Sequence, residues 1–346
     1  MVEKGGIEQG VINMLKVNMG IKSGEKLLVV TDIPTAEEWI KKESKELDEI
    51  IERCLLAKLV SEISKESFPG CNVKFYTYPC VGKSGTEPGE EVEEKMKEAD
   101  VVVAITSYSL SHTKARENAS KSGTRIASMP TFTSEMFYPG GPMATDYTKM
   151  RKECEKIAKL INKANEVIIT SPDGTNLKFS LKGRYGNIDD GILIEKGKFG
   201  NLPAGEVYTS PLEGTTNGNL VVKEGWFANL TENMTFVFKD GKVIEIIGGG
   251  EVGERYREML TFEKNEEPYI SRRNCAELGI GTNPNAKRPD NVLEAEKIRG
   301  TIHIAIGDSS HMGGKVTSDL HQDFVVPKPT MRFDGEVVMK DGKFIA

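Results

Sequence analysis

The residues best suited to chemistry in this sequence are histidines and acids near its C-terminal end. In the segment SDLHQDFVV, His321 and Asp323 are separated by one residue of an apparent strand. Side chains at positions i and i+2 of a strand point to the same face, so imidazole and carboxylate can converge on one ion. The segment GTIHIAIGD places His303 between two isoleucines, in a setting shielded from water, where on its own it fits a hydrogen-bonded core imidazole equally well. Together these residues predict a metal site, because buried ionisable groups are costly unless a cation or a partner satisfies them.

Two glutamates lie in unusual surroundings and extend this set. Glu206 stands between a Pro-Gly turn and a strand in NLPAGEVYTSP, and Glu277 precedes a glycine-rich loop in AELGIGTNPNA. Either one alone fits an ordinary solvated glutamate equally well. With the histidines they would provide three carboxylates and two imidazoles, which suit zinc, cobalt or manganese and are enough to hold two ions.

The other two histidines have a less defined setting. His311 lies in the glycine-rich segment DSSHMGGK, where it is either a proton shuttle or a histidine of a surface loop. His112, in SLSHTKAR, lies at a junction between a strand and a helix, with or without a chemical role.

Two glycine motifs resemble nucleotide-binding loops, but neither has the required context. PCVGKSGTE lacks the first glycine of a P-loop, because Thr77 stands at that position. Residues 248–253 match G-x-G-x-x-G, yet the strand before them belongs to an Asp-Gly hairpin rather than to a βαβ unit. We expect these glycines to end a strand and to let the backbone turn sharply.

The first half of the chain alternates short apolar runs with helical patterns, including one long charged helix from about residue 36 to 66. Strands that are apolar on both faces and alternate with helices indicate a parallel sheet covered on both sides. Residues 1–163 are therefore predicted to form a doubly wound, Rossmann-like α/β domain.

The pattern changes in the second half. Pairs of β-runs joined by Asp-Gly turns predict hairpins, as in NMTFVFKDGKVIEIIGG, with one helix near EVGERYREML. Residues 164–346 are predicted to form a mostly antiparallel β domain, of α+β type, that binds the metal and carries catalysis.

Composition limits the class of protein. A net charge of −6 without a basic stripe argues against nucleic acid as a partner. Five scattered cysteines fit a reducing compartment better than a disulfide framework. The longest apolar runs are too short to span a bilayer, and the N-terminus has no stretch typical of a signal peptide. We therefore expect a cytoplasmic protein with no membrane partner.

The blocks NLPAGEVYTSP, AELGIGTNPNA, GTIHIAIGD and SDLHQDF resemble, in the same order, the ligand blocks of the thermophilic-type (T/S/II) metallo-aminopeptidases. The resemblance implies a homodimer whose chains each hold two metal ions through five ligands, namely Glu206, Glu277, His303, His321 and Asp323. One departure is that Ser310 stands near the place where that family carries a tyrosine. This departure bears on peptidase activity and not on metal binding.

The sequence also resembles the iron-dependent dihydroxypyridine dioxygenases, a neighbouring branch with the same fold. That resemblance implies one Fe(II) ion held by His303, His321 and Asp323, with a histidine recruited from the N-terminal domain, for which His112 is available.

The first prediction is a leucyl-aminopeptidase-like hydrolase that acts on peptides. In this mechanism two divalent ions activate a water, and Glu206 handles its proton. The alternative is a mononuclear non-haem iron dioxygenase of the dihydroxypyridine type or another small-molecule metalloenzyme. A third possibility is a protein that binds small molecules on this scaffold without turnover.

Overall fold

The structure is a computed structural model that describes residues 4–345. Its α-helices are α1 (Lys4–Asn13), α2 (Ala36–Lys41), α3 (Ser44–Ser67), α4 (Glu90–Lys97), α5 (Lys114–Lys121), α6 (Tyr147–Ile161), α7 (Gly250–Leu260), α8 (Tyr269–Arg272) and α9 (Val292–Ala295). Short turns of other helix types span Met14–Asn18, Ser134–Phe137, Pro142–Ala144 and Ser310–Met312. Within residues 4–345, no helix has both the length and the apolar character needed to cross a membrane.

The strands, in chain order, are β1 (Lys26–Ile33), β2 (Asn72–Pro79), β3 (Val101–Thr106), β4 (Arg125–Pro130), β5 (Glu166–Thr170), β6 (Asn176–Ser180), β7 (Asn187–Asp189), β8 (Phe199–Asn201), β9 (Glu206–Thr209), β10 (Asn217–Val222), β11 (Met234–Lys239), β12 (Lys242–Gly248), β13 (Cys275–Gly281), β14 (Thr301–Gly307), β15 (His321–Pro327), β16 (Thr330–Phe333), β17 (Glu336–Lys340) and β18 (Lys343–Phe344). The chain packs into two units. The first contains the residues up to Tyr147 together with Gly191–Ala204, and the second contains Thr148–Asp190 and the residues from Gly205 onward. The division that we predict after residue 163 stays a prediction.

The first unit is built on a parallel sheet with the strand order β2-β1-β3-β4-β8. Every residue of β3 is buried, as the continuous apolar run VVVAIT predicts for a strand covered on both faces. Together with the antiparallel sheets of the second unit, this sheet confirms the predicted mixed α/β fold class.

The long helix predicted from about residue 36 to 66 is two helices in the structure. The backbone is extended at Lys42 and Glu43, which separate α2 from α3. A capping box between Thr35 and Glu38 starts α2, but α2 buries none of its residues, so packing does not hold it in line with α3.

The second unit contains two antiparallel sheets. One has eight strands in the order β12-β11-β10-β6-β5-β16-β17-β18, and the other has five in the order β15-β14-β13-β9-β7. The predicted Asp-Gly turns are present: Asp240 and Gly241 both have positive φ between β11 and β12. That conformation is the one that a two-residue hairpin of type I′ requires. The glycines at positions 248 and 249 end β12 before α7, as the sequence predicts.

The strands of the five-stranded sheet have one apolar face and one functional face. Leu278, Ile304 and Phe324 are fully buried residues of β13, β14 and β15. The ring of Phe324 lies 4.6 Å from that of Phe236 and 5.3 Å from that of Tyr256, measured between centroids. This aromatic cluster anchors β15, so the residues on either side of Phe324 project from the opposite face.

Candidate metal centre

Strand register brings the predicted metal-binding residues together on one face of the five-stranded sheet. Asp323 of β15 is opposite Ala305 of β14, which is itself opposite Glu277 of β13. His321 is opposite Gly307 in the same sheet. Residues directly opposite in an antiparallel pair point to the same face, so these side chains share one surface.

The remaining two positions fall on that same surface. His303 is opposite Gly279, and Glu206 of β9 is opposite Gly281. The sequence context places Glu277 ahead of a glycine-rich loop. In the structure, Glu277 and the glycines at positions 279 and 281 all belong to strand β13. Glycine or alanine stands opposite each of these side chains on one neighbouring strand, at Gly279, Gly281, Ala305 and Gly307, which leaves room above the sheet for imidazoles and carboxylates.

Glu277 lies between the two imidazoles. Its Oε1 is 3.3 Å from Nε2 of His303, and its Oε2 is 3.2 Å from Nε2 of His321. The donor atoms of Glu277, His303 and Glu206 all lie within 4.8 Å of one another, and so do those of Glu277, His321 and His311. The carboxylate of Glu277 is thus the centre of the cluster.

Asp323 closes the cluster from the edge strand. Its Oδ2 is 3.6 Å from Nε2 of His321, and its Oδ1 is 3.9 Å from Nε2 of His303. Within residues 4–345, Asp323 Oδ1 and Glu206 Oε2 are buried oxygens without a hydrogen-bond partner. A buried carboxylate oxygen left in this state is costly, and a metal ion would satisfy it. The residues present therefore fit a divalent ion.

The charges in the cluster shift one another's pKa values. Burial lowers the pKa of His303, but the hydrogen bond to Glu277 and the charge of Glu206 outweigh burial and raise it to about 9. Burial raises the pKa of Glu277, but hydrogen bonds from His303 and His321 lower it to about 2. Without a metal ion the imidazoles thus hold protons against ionised carboxylates. A metal ion would take the place of those protons.

One functional residue that the sequence did not reveal is Lys297. It is 2% exposed, and its Nζ lies 2.6 Å from Glu206 Oε1 and 3.7 Å from Asp189 Oδ2. Burial lowers its pKa, but the surrounding carboxylates, Glu206 first, raise it well above the ordinary value. In the sequence Lys297 lies in the charged segment EAEKIRG, which gives no sign that this lysine is buried.

Asp308 orients two histidines, although no pattern in the sequence marks it. Its backbone carbonyl is 2.8 Å from Nδ1 of His321, and its carboxylate Oδ1 is 3.1 Å from Nδ1 of His311. A hydrogen bond at Nδ1 leaves Nε2 of His321 to face the cluster, as metal-binding histidines require. The ring of His311 packs edge-on against that of His321, with centroids 5.2 Å apart.

His112 belongs to the first unit, where it is exposed in the turn before α5.

Tyr208 is a third residue of the second unit, after Lys297 and Asp308, that no pattern in the sequence marks. It is opposite Gly279 in β9, on the functional face. Burial, followed by the charge of Asp189, raises the pKa of its phenol.

Comparisons with known proteins relate this site to one family. The chain matches the family model described as NicX: 2,5-dihydroxypyridine 5,6-dioxygenase over residues 15–346. A 2,5-dihydroxypyridine 5,6-dioxygenase from Pseudomonas putida (strain KT2440) is 25% identical, and the alignment covers 72% of each chain.

Two solved structures share the fold. The 2,5-dihydroxypyridine dioxygenase from Pseudomonas putida KT2440 has a TM-score of 0.73 at 17% identity and covers 100% of this chain and 99% of its own. AmpT from Thermus thermophilus has a TM-score of 0.65 at 14% identity, with coverages of 99% and 100%.

The prediction of a metallo-aminopeptidase, and with it of a hydrolase and protease, is wrong. AmpT and the dioxygenase both share this fold, and imidazoles and carboxylates hold the metal in hydrolases and in oxygenases, so the donor types in the sequence do not distinguish a peptidase from an oxygenase. The match points instead to a dioxygenase, which was the alternative, and it implies a metal cofactor. The predicted zinc, cobalt or manganese has no support from it. This chain belongs to the NicX, 2,5-dihydroxypyridine 5,6-dioxygenase, family.

Proposed function

We propose that this protein is an iron-dependent dioxygenase that cleaves the ring of a small hydroxylated nitrogen heteroaromatic compound, of the dihydroxypyridine class. The observation that carries the proposal is the convergence of His303, His321 and Asp323 beside buried carboxylate oxygens that lack hydrogen bonds. Membership of the family supplies the class of reaction.

His303, His321 and Asp323 are the proposed ligands. The carboxylate of Asp323 reaches both imidazoles, with Oδ2 3.6 Å from Nε2 of His321 and Oδ1 3.9 Å from Nε2 of His303, so these three side chains would hold an Fe(II) ion between them. Glu277 is near enough to both imidazoles to add a fourth ligand. Two histidines and a carboxylate are the ligands of non-haem Fe(II) oxygenases, in which open positions on the iron receive substrate and oxygen.

The residues around these ligands would bind and orient the substrate and move its protons. His311 is about one-third exposed, and its Nδ1 is fixed by Asp308. It therefore presents its other nitrogen to a substrate hydroxyl as an acid–base group. Glu206 directs Oε2 toward His303 while Lys297 holds Oε1, so Glu206 is a second group that can accept a proton beside the ion. His112 stays a predicted contributor from the first unit.

The proposed substrate is a small molecule, in place of the peptide that the sequence predicts. The predicted homodimer and cytoplasmic location stay predictions.

The direct test of the proposal is oxygen uptake. Protein freed of metal is reconstituted anaerobically with Fe(II) and mixed with 2,5-dihydroxypyridine in aerated buffer, while oxygen and the absorbance of the ring are followed.

We expect one oxygen molecule to be consumed per ring lost, and no consumption with Zn(II) in place of Fe(II). The Asp323→Asn variant, treated with Fe(II) in the same way, is the matched control. It should lose oxygen uptake together with bound iron. A fully iron-loaded protein that consumes no oxygen with any hydroxypyridine would overturn the proposal.

A further inference from the structure

Lys297 is an internal cation enclosed by carboxylates. Its Nζ contacts Glu206 Oε1 at 2.6 Å, Glu296 Oε2 at 3.2 Å and Asp189 Oδ2 at 3.7 Å. Its side chain is 3% exposed. A lysine is almost never buried to this extent unless its charge is paired, and here three acidic residues pair with it.

The lysine lies on one side of the metal-binding cluster, and Glu206 joins the two. One oxygen of Glu206 accepts a hydrogen bond from Lys297, while the other lies 3.4 Å from Nε2 of His303. Two overlapping groups of donors could each hold a metal ion: Glu206, Glu277 and His303 form one, and Glu277, His311 and His321 form the other, with Glu277 common to both. The ammonium group of Lys297 lies beside the group that contains Glu206.

We propose that Lys297 is a positioning residue that takes the place of a second metal cation and so restricts this centre to one ion. Its positive charge repels a divalent ion that approaches Glu206 to within a few ångströms. Its hydrogen bond also occupies the carboxylate that such an ion would need. It also holds Glu206 as a neighbour of the first ion and not as its ligand. The inference rests on the proposed function only in requiring that the centre binds a metal.

The test is the number of ions per chain, measured with Zn(II) by elemental analysis after gel filtration and by titration calorimetry. The wild-type chain is expected to bind one ion. Lys297→Met keeps the length of the side chain but removes its charge, and it is expected to bind two. Lys297→Arg keeps the charge and is expected to restore one.

A matched control is Lys178→Met, which removes an exposed lysine paired with Glu166 at 2.7 Å in the same unit. It is expected to leave the count at one. The double variant Lys297→Met with Glu206→Gln removes both the cation and the carboxylate that it frees. That variant is expected to return the count to one.

Two ions in the wild-type chain, or a single ion in folded Lys297→Met, would overturn the inference. If Lys297→Met does not fold, Glu206→Gln decides. It is expected to change the Zn(II) dissociation constant by less than tenfold, whereas loss of the ion would show that Glu206 is a ligand and would refute the inference. Ion counts need no substrate, so they are independent of whether the chain consumes oxygen.

Discussion

The imidazole of His303 lies over the backbone of Gly279 on the neighbouring strand, so closely that a Cβ built on this glycine would stand 1.9 Å from Nε2. The two residues are directly opposite in β14 and β13. A methyl group at position 279 would therefore displace the imidazole from Glu277. We expect Gly279→Ala to weaken metal binding ~10–100-fold, as the loss of a group that orients a metal ligand does.

This expectation is checked by titrating Zn(II) into the variant in a calorimeter, with circular dichroism to confirm the fold. Gly5→Ala is the control, because a Cβ at that position of α1 meets nothing within 4 Å. Equal affinity in Gly279→Ala and wild type would mean that His303 does not need this position to bind the ion.

The stability of the metal-free protein should depend on pH through His303. Its pKa is raised to about 9 from an ordinary 6.5, so its protonated form stabilises the fold fully below about pH 6.5. This contribution is lost as the pH rises through 9. Glu277, with a pKa lowered to about 2 from 4.5, adds stability above about pH 4.5 that is lost as the pH falls toward 2.

Thermal unfolding of the metal-free chain should therefore show its highest midpoint between about pH 4.5 and 6.5, with a decline toward pH 9. With saturating Zn(II), the stabilisation by the ion should grow as the pH rises from about 6.5 toward 9, since fewer protons then compete for the imidazoles. Burial lowers the pKa of His321, but the charge of Asp323 raises it well above the ordinary value, so His321 contributes to the same decline. His303→Gln should therefore make the decline above pH 6.5 smaller without abolishing it. A decline of equal size in His303→Gln would assign the effect to other groups.

His311 is predicted to act on the substrate and not to hold the ion. His311→Gln keeps a group that can hydrogen-bond to Asp308 but removes the titratable nitrogen. We expect iron content to stay at the wild-type level, while turnover falls ~100-fold, the usual loss when a general acid–base group is removed. Metal content by elemental analysis and oxygen uptake are the two measurements. A parallel loss of iron would instead make His311 a ligand with Glu277 and His321.

Much of this site follows from local patterns in the sequence. The i, i+2 spacing in His-Gln-Asp fixes His321 and Asp323 on one face of any strand, and a histidine between isoleucines is buried whatever its partner strand. Lys297 shows the limit of such reasoning. Its burial results from contacts with Asp189 and Glu206, which are far away in sequence, so no local pattern marks it. Donor types also cannot distinguish hydrolysis from oxygenation, because both use imidazoles and carboxylates.

Neighbouring residues of β15 should separate metal binding from folding. Phe324 is fully buried in the aromatic cluster, whereas Asp323 faces the metal-binding side chains. We expect Phe324→Ala to lower the free energy of unfolding of the metal-free protein by ~3–5 kcal/mol, through lost burial and the cavity that remains. Urea unfolding followed by fluorescence measures this change.

Asp323→Asn should behave in the opposite way. It removes a proposed ligand at nearly constant volume, so metal binding should be lost while the urea midpoint of the metal-free protein shifts by less than in Phe324→Ala. Zn(II) should then raise the unfolding midpoint of folded Phe324→Ala but not that of Asp323→Asn, since an ion stabilises only a native state that binds it. Equal stabilisation of both variants by Zn(II) would place the ion away from β15.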